Sequence, residues 1–236
     1  YTPWPRIHPS STDEVPDVVD LVFSVDGKHT LEAVEELEKS HDDIARAFLH
    51  SAGGSKNRLL ISQDSDIVQI HVRATGGIAV GHLHLDVKAS CAVLIHLSGE
   101  AEWVGLHITG NVKPNTQVAY GFINELNTKT KLLRCEDWLV ERDGDLEHAT
   151  LSIGGSRCKS DLRSTLNGTG SSIRQSVTAN AVGSRHDDEH VEIHHLHGHT
   201  FSDLVMNSAC SGSSHFIATG LLTIAEGANK TDASQV

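Results

Sequence analysis

Two imidazoles and a carboxylate alternate within one short apolar stretch of the sequence. In the run His82-Leu83-His84-Leu85-Asp86, the three polar side chains share one face of an extended strand, because strand side chains alternate with a period of two. Two histidines and one acid form the ligand set of a facial iron or zinc site. The run therefore supplies a first set of candidate metal ligands.

A histidine-metal enzyme of cupin type is one function that this run would serve. The HxH pattern resembles the metal-binding motif of cupin oxygenases, and His96 follows as a further candidate ligand. Lys88 and the residues after it stand where a cupin has a glutamate. The structural alternative is a polar, solvent-facing strand face opposite an apolar face of Leu83, Leu85 and Val87.

A denser cluster holds six of the 17 histidines of the chain, namely His186, His190, His194, His195, His197 and His199. If a strand continues past Gly198, His195, His197 and His199 share one face as candidate metal ligands, since imidazole binds Zn, Cu, Ni and Fe. The alternative is a solvated row of histidines. The acidic residues 187–189 predict raised pKa values for His186 and His190.

Charge and motifs exclude several function classes. The net charge of −12 argues against nucleic acid or an anionic membrane as the main partner. No apolar run approaches the roughly 18 residues of a membrane-spanning helix. GxSxG, GxxxxGK[ST] and HExxH motifs are absent. Acidic groups such as residues 143–145 would suit a β-helix protein acting on polysaccharide, but aromatic residues for sugar stacking are scarce.

The four cysteines are Cys91, Cys135, Cys158 and Cys210, and none forms a CxxC pair. The start of the sequence lacks the apolar stretch of a signal peptide, so we expect reduced thiols and a cytoplasmic location. Buried cysteines that fill the core are the structural alternative to functional thiols.

Strand-length apolar pieces recur about every ten residues from Arg58 onward, with Gly, Asn, Asp or Ser in the gaps. This spacing predicts an all-β sandwich, barrel or solenoid. Monotonous pieces, small turn residues and few aromatics favour a solenoid, although the pattern alone leaves the sandwich open. We divide the chain into an irregular segment with short helices over residues 1–55 and a β core over residues 56–236.

Two short helices are predicted within the first segment. The first is capped by Thr30 and carries Leu31, Val34 and Leu37 on its apolar face.

The second predicted helix is capped by Ser40, with Asp42 and Asp43 in its first turn. Its predicted apolar face consists of Ile44, Ala47 and Phe48. Gly53-Gly54 is expected to end it.

Four stretches resemble the SufB/SufD family, the scaffold subunits of iron–sulfur cluster assembly. They are residues 152–168 (SIGGSRCKSDLRSTLNG), 194–203 (HHLHGHTFSD), 216–224 (FIATGLLTI) and 225–235 (AEGANKTDASQ). The specific likeness covers roughly residues 150–236. The mid-helix cysteine of the SufB branch has no clear counterpart, with Leu139 or Val140 at its place, so the resemblance is SufD-like or ancestral.

The resemblance implies a right-handed parallel β-helix behind a small N-terminal helical region. It also implies a non-catalytic scaffold in which a transient iron–sulfur cluster is built between paired subunits, identical or paralogous. ATP hydrolysis would reside in a SufC-type ATPase partner, and this chain would bind no nucleotide. Such family members continue past the KTDAxQ run with helices that dock the ATPase, and we expect the same of a longer chain here.

The resemblance makes the cysteines candidate cluster ligands. Cys210 is expected to approach His195, His197 or His199 across neighbouring coils. Cys135 and Cys158 are expected to stack in a similar way.

Overall fold

The computed structural model describes residues 17–27, 29–37 and 43–236, apart from the side chains of residues 65 and 66. The helix of this part of the chain is α1 (Ile44–Ala52). The strands are β1 (Val18–Asp20), β2 (Val22–Val25), β3 (Glu32–Ala33), β4 (Ser55–Ile61), β5 (Ser65–Ala74), β6 (Ile78–Val87), β7 (Cys91–Gly99), β8 (Trp103–Val112), β9 (Gln117–Leu126), β10 (Lys131–Val140), β11 (Asp145–Ser152), β12 (Arg157–Leu166), β13 (Ser172–Ala181), β14 (His186–His195), β15 (Phe201–Cys210), β16 (His215–Ile224) and β17 (Asp232–Gln235).

The strands form two sheets that the chain visits in alternation. Sheet 1 has the order β3-β4-β6-β8-β10-β12-β14-β16, with β1 also paired to β6, and sheet 2 has the order β2-β5-β7-β9-β11-β13-β15-β17. From β4 onward all pairs are parallel, so each coil contributes one strand to each sheet. The architecture is a parallel β-solenoid of about six turns, as predicted, and the sandwich alternative is wrong.

Alternate side chains fill the space between the two sheets. Leu83, Leu85 and Val87 are fully buried there, which confirms the predicted apolar face of β6. Stacked Val, Ile and Leu from successive coils continue this core along the solenoid. Close turns are needed between coils: Gly99 has φ of 126°, and a Cβ there would overlap the carbonyl oxygen of Ala74.

The first predicted helix is wrong. Residues 32–33 form β3 instead, which pairs antiparallel with β4 through Glu32 opposite Arg58 and Ala33 opposite Asn57. The physical reason is that β4 pairs with β6 on one side only, so its other edge would leave backbone N–H and C=O groups unpaired. Strand β3 supplies hydrogen-bonding partners for that edge. The segment before it also joins the solenoid, because β1 pairs with β6 and β2 with β5.

The second predicted helix exists, but its cap and buried face differ. Asp43 is the cap, and its side chain accepts hydrogen bonds from the amides of Ala45 and Arg46. The predicted cap Ser40 and the acid Asp42 lie outside the described residues. Gly53, with φ of 83°, ends the helix as predicted.

The face that α1 packs on sheet 1 consists of Ala45, Arg46 and Leu49. Ile44 is 64% exposed and Ala47 is exposed too, so the predicted apolar face is wrong. Only Phe48 of that face contacts the sheet, with its ring 5.7 Å from that of Trp103. Ion pairs of Arg46, described below, fix the rotation of the helix.

In the part of the chain that the structure describes, no helix is long and apolar enough to cross a membrane.

The interior position Leu162 tests this packing. We expect Leu162→Ala to lower the free energy of unfolding by about 2–5 kcal/mol, because a fully packed side chain leaves a cavity. Leu151→Ala, on the outward side of the neighbouring β11, is the matched control and should cost less than about 1 kcal/mol. Chemical denaturation measures both, and equal losses would contradict the assignment of inward and outward faces.

Candidate functional site

The outward side of sheet 1 carries one row of chemically active side chains at matched register. From β6 to β14 the row is His82, His107, Cys135, Asp161 and His190. The strands that carry adjacent members of the row are about 4.8 Å apart, which is the usual spacing of paired strands. Of this row, His82, Cys135 and His190 were named in separate predicted groups, and the row itself was not predicted, because the alignment of one coil on the next depends on loop lengths.

Arg46 of α1 lies in the middle of this row and is 2% exposed. Its Nε donates to Asp137 at 2.9 Å, and its Nη1 donates to Asp161 and to Asp43, each at 2.8 Å. Its Nη2 donates to the carbonyl oxygens of Glu136 and Asp161. One guanidinium therefore joins the helix to two neighbouring strands.

Two histidines of the row hold the carboxylates that Arg46 binds. His107 Nε2 lies 2.8 Å from Asp137, and His190 Nδ1 lies 3.3 Å from Asp161. The hydrogen bond to Asp161 raises the pKa of His190. Burial alone would raise the pKa of Asp161, but His190 and Arg46 outweigh it and hold that pKa well below its ordinary value.

The interior of the solenoid also holds charge. Glu136 is fully buried and accepts hydrogen bonds from Tyr120 at 3.0 Å and Trp138 at 3.1 Å, and its Oε2 lies 2.9 Å from His148 Nε2. Burial raises its pKa, but the charge of Arg134 and the His148 contact reverse this effect, so the pKa of Glu136 is lowered. Glu136 is therefore ionised inside the coil.

A second interior group lies near the turn before β12. Arg185 donates to Asp187 at 2.7 Å and to Ser152 at 2.6 Å. Cys158 lies beside them, donating to the carbonyl oxygen of Gly154 at 3.4 Å. Burial raises the pKa of Asp187 and raises that of the Cys158 thiol far above its ordinary value.

Glu189 is the least well compensated of the interior acids. Its nearest cation is Arg134, with Nη2 3.6 Å from Glu189 Oε2, and that oxygen has no hydrogen-bond partner. Burial raises the pKa of Glu189 to about 7. Between β10 and β14 the interior therefore contains polar side chains, and some of their atoms have no hydrogen-bond partner.

The predicted cysteine pairs are not brought together. Cys135 points outward beneath α1, whereas Cys158 points into the core, so they lie on opposite faces of sheet 1. Cys210 is exposed at the end of β15, eight residues beyond Ser202, which binds His195. At roughly 3.3 Å per residue this is about 26 Å, so Cys210 does not approach His195.

The three predicted histidine ligands do not share a face. β14 ends at His195, which is buried and hydrogen-bonded to Thr200 at 2.7 Å and Ser202 at 2.8 Å. His197 and His199 are exposed in the following turn, and His199 has φ of 58°. The Gly198 turn ends the strand before the row can form.

The acids around the histidine cluster act differently from the prediction. Asp187 and Glu189 point inward, opposite to His186 and His190, because strand side chains alternate. Burial lowers the pKa of His186, so its predicted rise is wrong. The predicted rise for His190 is found, but Asp161 of the next strand causes it.

The cupin alternative is wrong. His82 and His84 lie on sheet 1, while His96 lies on sheet 2 and contacts Glu125 at 2.6 Å. His82 binds the carbonyl oxygen of Gly53, and burial lowers its pKa to about 4. His84 instead binds Thr109 at 2.7 Å.

The acids that suggested a polysaccharide-acting protein do not form one face of the coil. Asp143 lies in a turn with φ of 54°, while Asp187 and Asp188 point to opposite sides of β14. Across the described ranges, no three His, Cys, Asp or Glu side chains converge in a way that would hold a metal ion.

A parallel β-solenoid with charged residues inside its coils is thus the class of protein that the structure defines. The model of the SUF system FeS cluster assembly SufBD core domain matches residues 70–236, from β5 to the end of the last coil. The chain belongs to this family, and its role lies in iron–sulfur cluster assembly. A comparison with curated proteins found no match.

The interior acid Glu189 generates a pH prediction. Its pKa rises from 4.5 to about 7 on folding, so its contribution to stability is full below pH 4.5 and is lost as the pH rises to about 7. We therefore expect Glu189→Gln to be more stable than wild type at about pH 8 by up to about 3 kcal/mol, and nearly equal at about pH 4.5.

Denaturant unfolding across this pH range measures the difference. Glu147→Gln, an exposed change on β11, is the matched control for the loss of one carboxylate outside the coil. A constant difference for Glu189→Gln would show that this carboxyl titrates alike in the folded and unfolded chain.

Proposed function

We propose that the chain is a non-catalytic scaffold subunit on which an iron–sulfur cluster is assembled in the cytoplasm. The observation that carries the proposal is the SufBD core match, which extends over all coils from β6 onward. Iron and sulfide are the substrates of this assembly, and thiolates are the usual protein ligands of the cluster.

Cys210 is the thiol best placed to contact an incoming cluster. Cys91, Cys135 and Cys158 are buried, and burial raises the pKa of each, to about 11 for Cys91 and further for the other two. A thiol in this state is a poor ligand, because the thiolate is the species that binds metal. Cys210 is exposed, and we propose it as the accessible cluster ligand.

We further propose that the subunit pairs with itself or with a paralogous subunit and works with a SufC-type ATPase. Support for pairing comes from the SufBD core match, because the resemblance to this family implies a cluster built between paired subunits. The ATPase would bind and hydrolyse ATP, since the GxxxxGK[ST] motif is absent from the sequence of the scaffold.

Anaerobic reconstitution with ferrous iron and sulfide tests the scaffold role. We expect Cys210→Ser to lose about half or more of the bound iron and acid-labile sulfide, because it removes the exposed thiolate. Cys91→Ser is the control: it removes a buried thiol and should retain the wild-type content. Absorption spectra and metal analysis provide the readout.

Two outcomes would contradict the proposal. If wild-type protein binds no cluster in the presence of the ATPase and a paired subunit, the scaffold role is wrong. If Cys210→Ser and Cys91→Ser retain equal iron and sulfide, the assignment of Cys210 is wrong.

A further inference from the structure

Several polar side chains inside the solenoid carry atoms that have no hydrogen-bond partner among the described residues. These atoms are both amide atoms of Gln175, Nδ1 of His148, Nε of Arg134 and Oε2 of Glu189. All four residues are only 1–2% exposed, so bulk solvent does not reach these atoms either. An unpaired buried polar group is costly, and in folded proteins such groups nearly always bind a protein atom or an ordered water.

The four side chains belong to one polar region between the two sheets. His148 and Gln175 are register partners on the adjacent strands β11 and β13 of sheet 2, and both are buried. Arg134 and Glu189 point inward from sheet 1, with 3.6 Å between Arg134 Nη2 and Glu189 Oε2. Glu136 connects the two sheets, because its Oε2 lies 2.9 Å from His148 Nε2 and its Oε1 lies 3.5 Å from Arg134 Nη1.

The unpaired atoms include both donors and acceptors. The Gln175 amide offers both kinds of group, and Arg134 Nε is a donor. His148 Nε2 faces the carboxylate of Glu136, so Nδ1 of the neutral ring is an acceptor. Glu189 Oε2 accepts a hydrogen bond when the carboxyl is ionised and can donate one when it is protonated. A ligand that satisfies this set must donate and accept hydrogen bonds at the same time.

Charge and burial restrict that ligand to a small neutral molecule. A free cation would meet the positive charge of Arg134, and a free anion would meet the negative charge of Glu136. Water carries no net charge, donates two hydrogen bonds and accepts others, and is the smallest molecule that does so. A buried water typically makes about three hydrogen bonds to otherwise unpaired groups.

We infer that the solenoid binds ordered water between its sheets, bridging the Gln175 amide to His148 Nδ1 and to Glu189 Oε2. Matched positions on neighbouring strands are about 4.8 Å apart. A water with two hydrogen bonds of about 2.8 Å spans at most about 5.6 Å, so one molecule can bridge the register partners His148 and Gln175. The polar interior is then hydrogen-bonded although its side chains do not all pair with one another. This site forms in the folded chain whether or not a cluster is assembled on it.

A high-resolution crystal structure of the wild-type chain is the direct test. We expect a water within about 3.2 Å of Gln175 Nε2 or Oε1 that also lies within about 3.2 Å of His148 Nδ1 or Glu189 Oε2. A direct hydrogen bond between Gln175 and His148, with no water density between the sheets, would overturn the inference.

Gln175→Leu tests the energetic role of the water, since leucine nearly preserves the size of the side chain. We expect the ratio of folded to unfolded protein to fall about ten-fold or more, because the water and the groups that it bridges lose hydrogen bonds. If the amide were dry and unpaired, the same change would remove an unsatisfied group and raise the ratio. An unchanged or raised ratio would therefore overturn the inference.

Gln69→Leu is the matched control for this substitution. Gln69 is exposed on β5 of the same sheet, so the same change there should alter the ratio by no more than about two-fold. Denaturant unfolding measures both variants.

Wild-type protein supplies a solution measurement if Gln175→Leu does not fold. Relaxation dispersion of the water oxygen-17 nucleus detects water molecules that stay inside a protein much longer than surface water does. We expect a contribution from at least one such molecule, and its absence would contradict the inference. Neither iron nor sulfide is present in these experiments, so their outcome is independent of the reconstitution test.

Discussion

Parallel stacking in register is the constraint on which the rest of this molecule depends. Each residue of a coil lies about 4.8 Å from its counterpart in the next coil, so residue types at equal positions meet whether or not they are close in sequence. This brings His107, Cys135, Asp161 and His190 together although 83 residues separate the first from the last. It also stacks the apolar side chains that make the core continuous.

Because the coils stack in register, the compensation of a buried charge depends on the side chains of adjacent coils. Arg134 and Glu136 point inward from one strand, and Glu189 faces them from β14, two coil positions away. Glu136 is compensated by three hydrogen-bonding contacts and its pKa is lowered, whereas Glu189 has one cation at 3.6 Å and burial raises its pKa to about 7. Burying such groups costs several kcal/mol per unpaired ion, so the apolar stacks on either side must offset them.

The sequence predicted the solenoid because apolar strands and small turn residues recur at a nearly constant spacing. The face of the strand on which each side chain lies was also predictable. The period of two places Asp187 and Glu189 on the inward face, opposite to His186 and His190, and the prediction that these acids raise the pKa of the two histidines ignored this alternation. Register between coils was not predictable, since turns of different length set it. For this reason the Cys135 row was missed, whereas the predicted group of His195, His197 and His199 is wrong because β14 ends before the turn at Gly198.

The helix face shows why one side chain decides how α1 docks. An apolar pattern predicts Ile44 inside, but Arg46 is buried because five donors in one plane can reach Asp43, Asp137, Asp161 and two carbonyl oxygens together. A lysine, as a compact point charge, could not bridge both strands in this way. The hydrogen bonds of Arg46 therefore set the rotation of α1, and Ile44 is left exposed as a result.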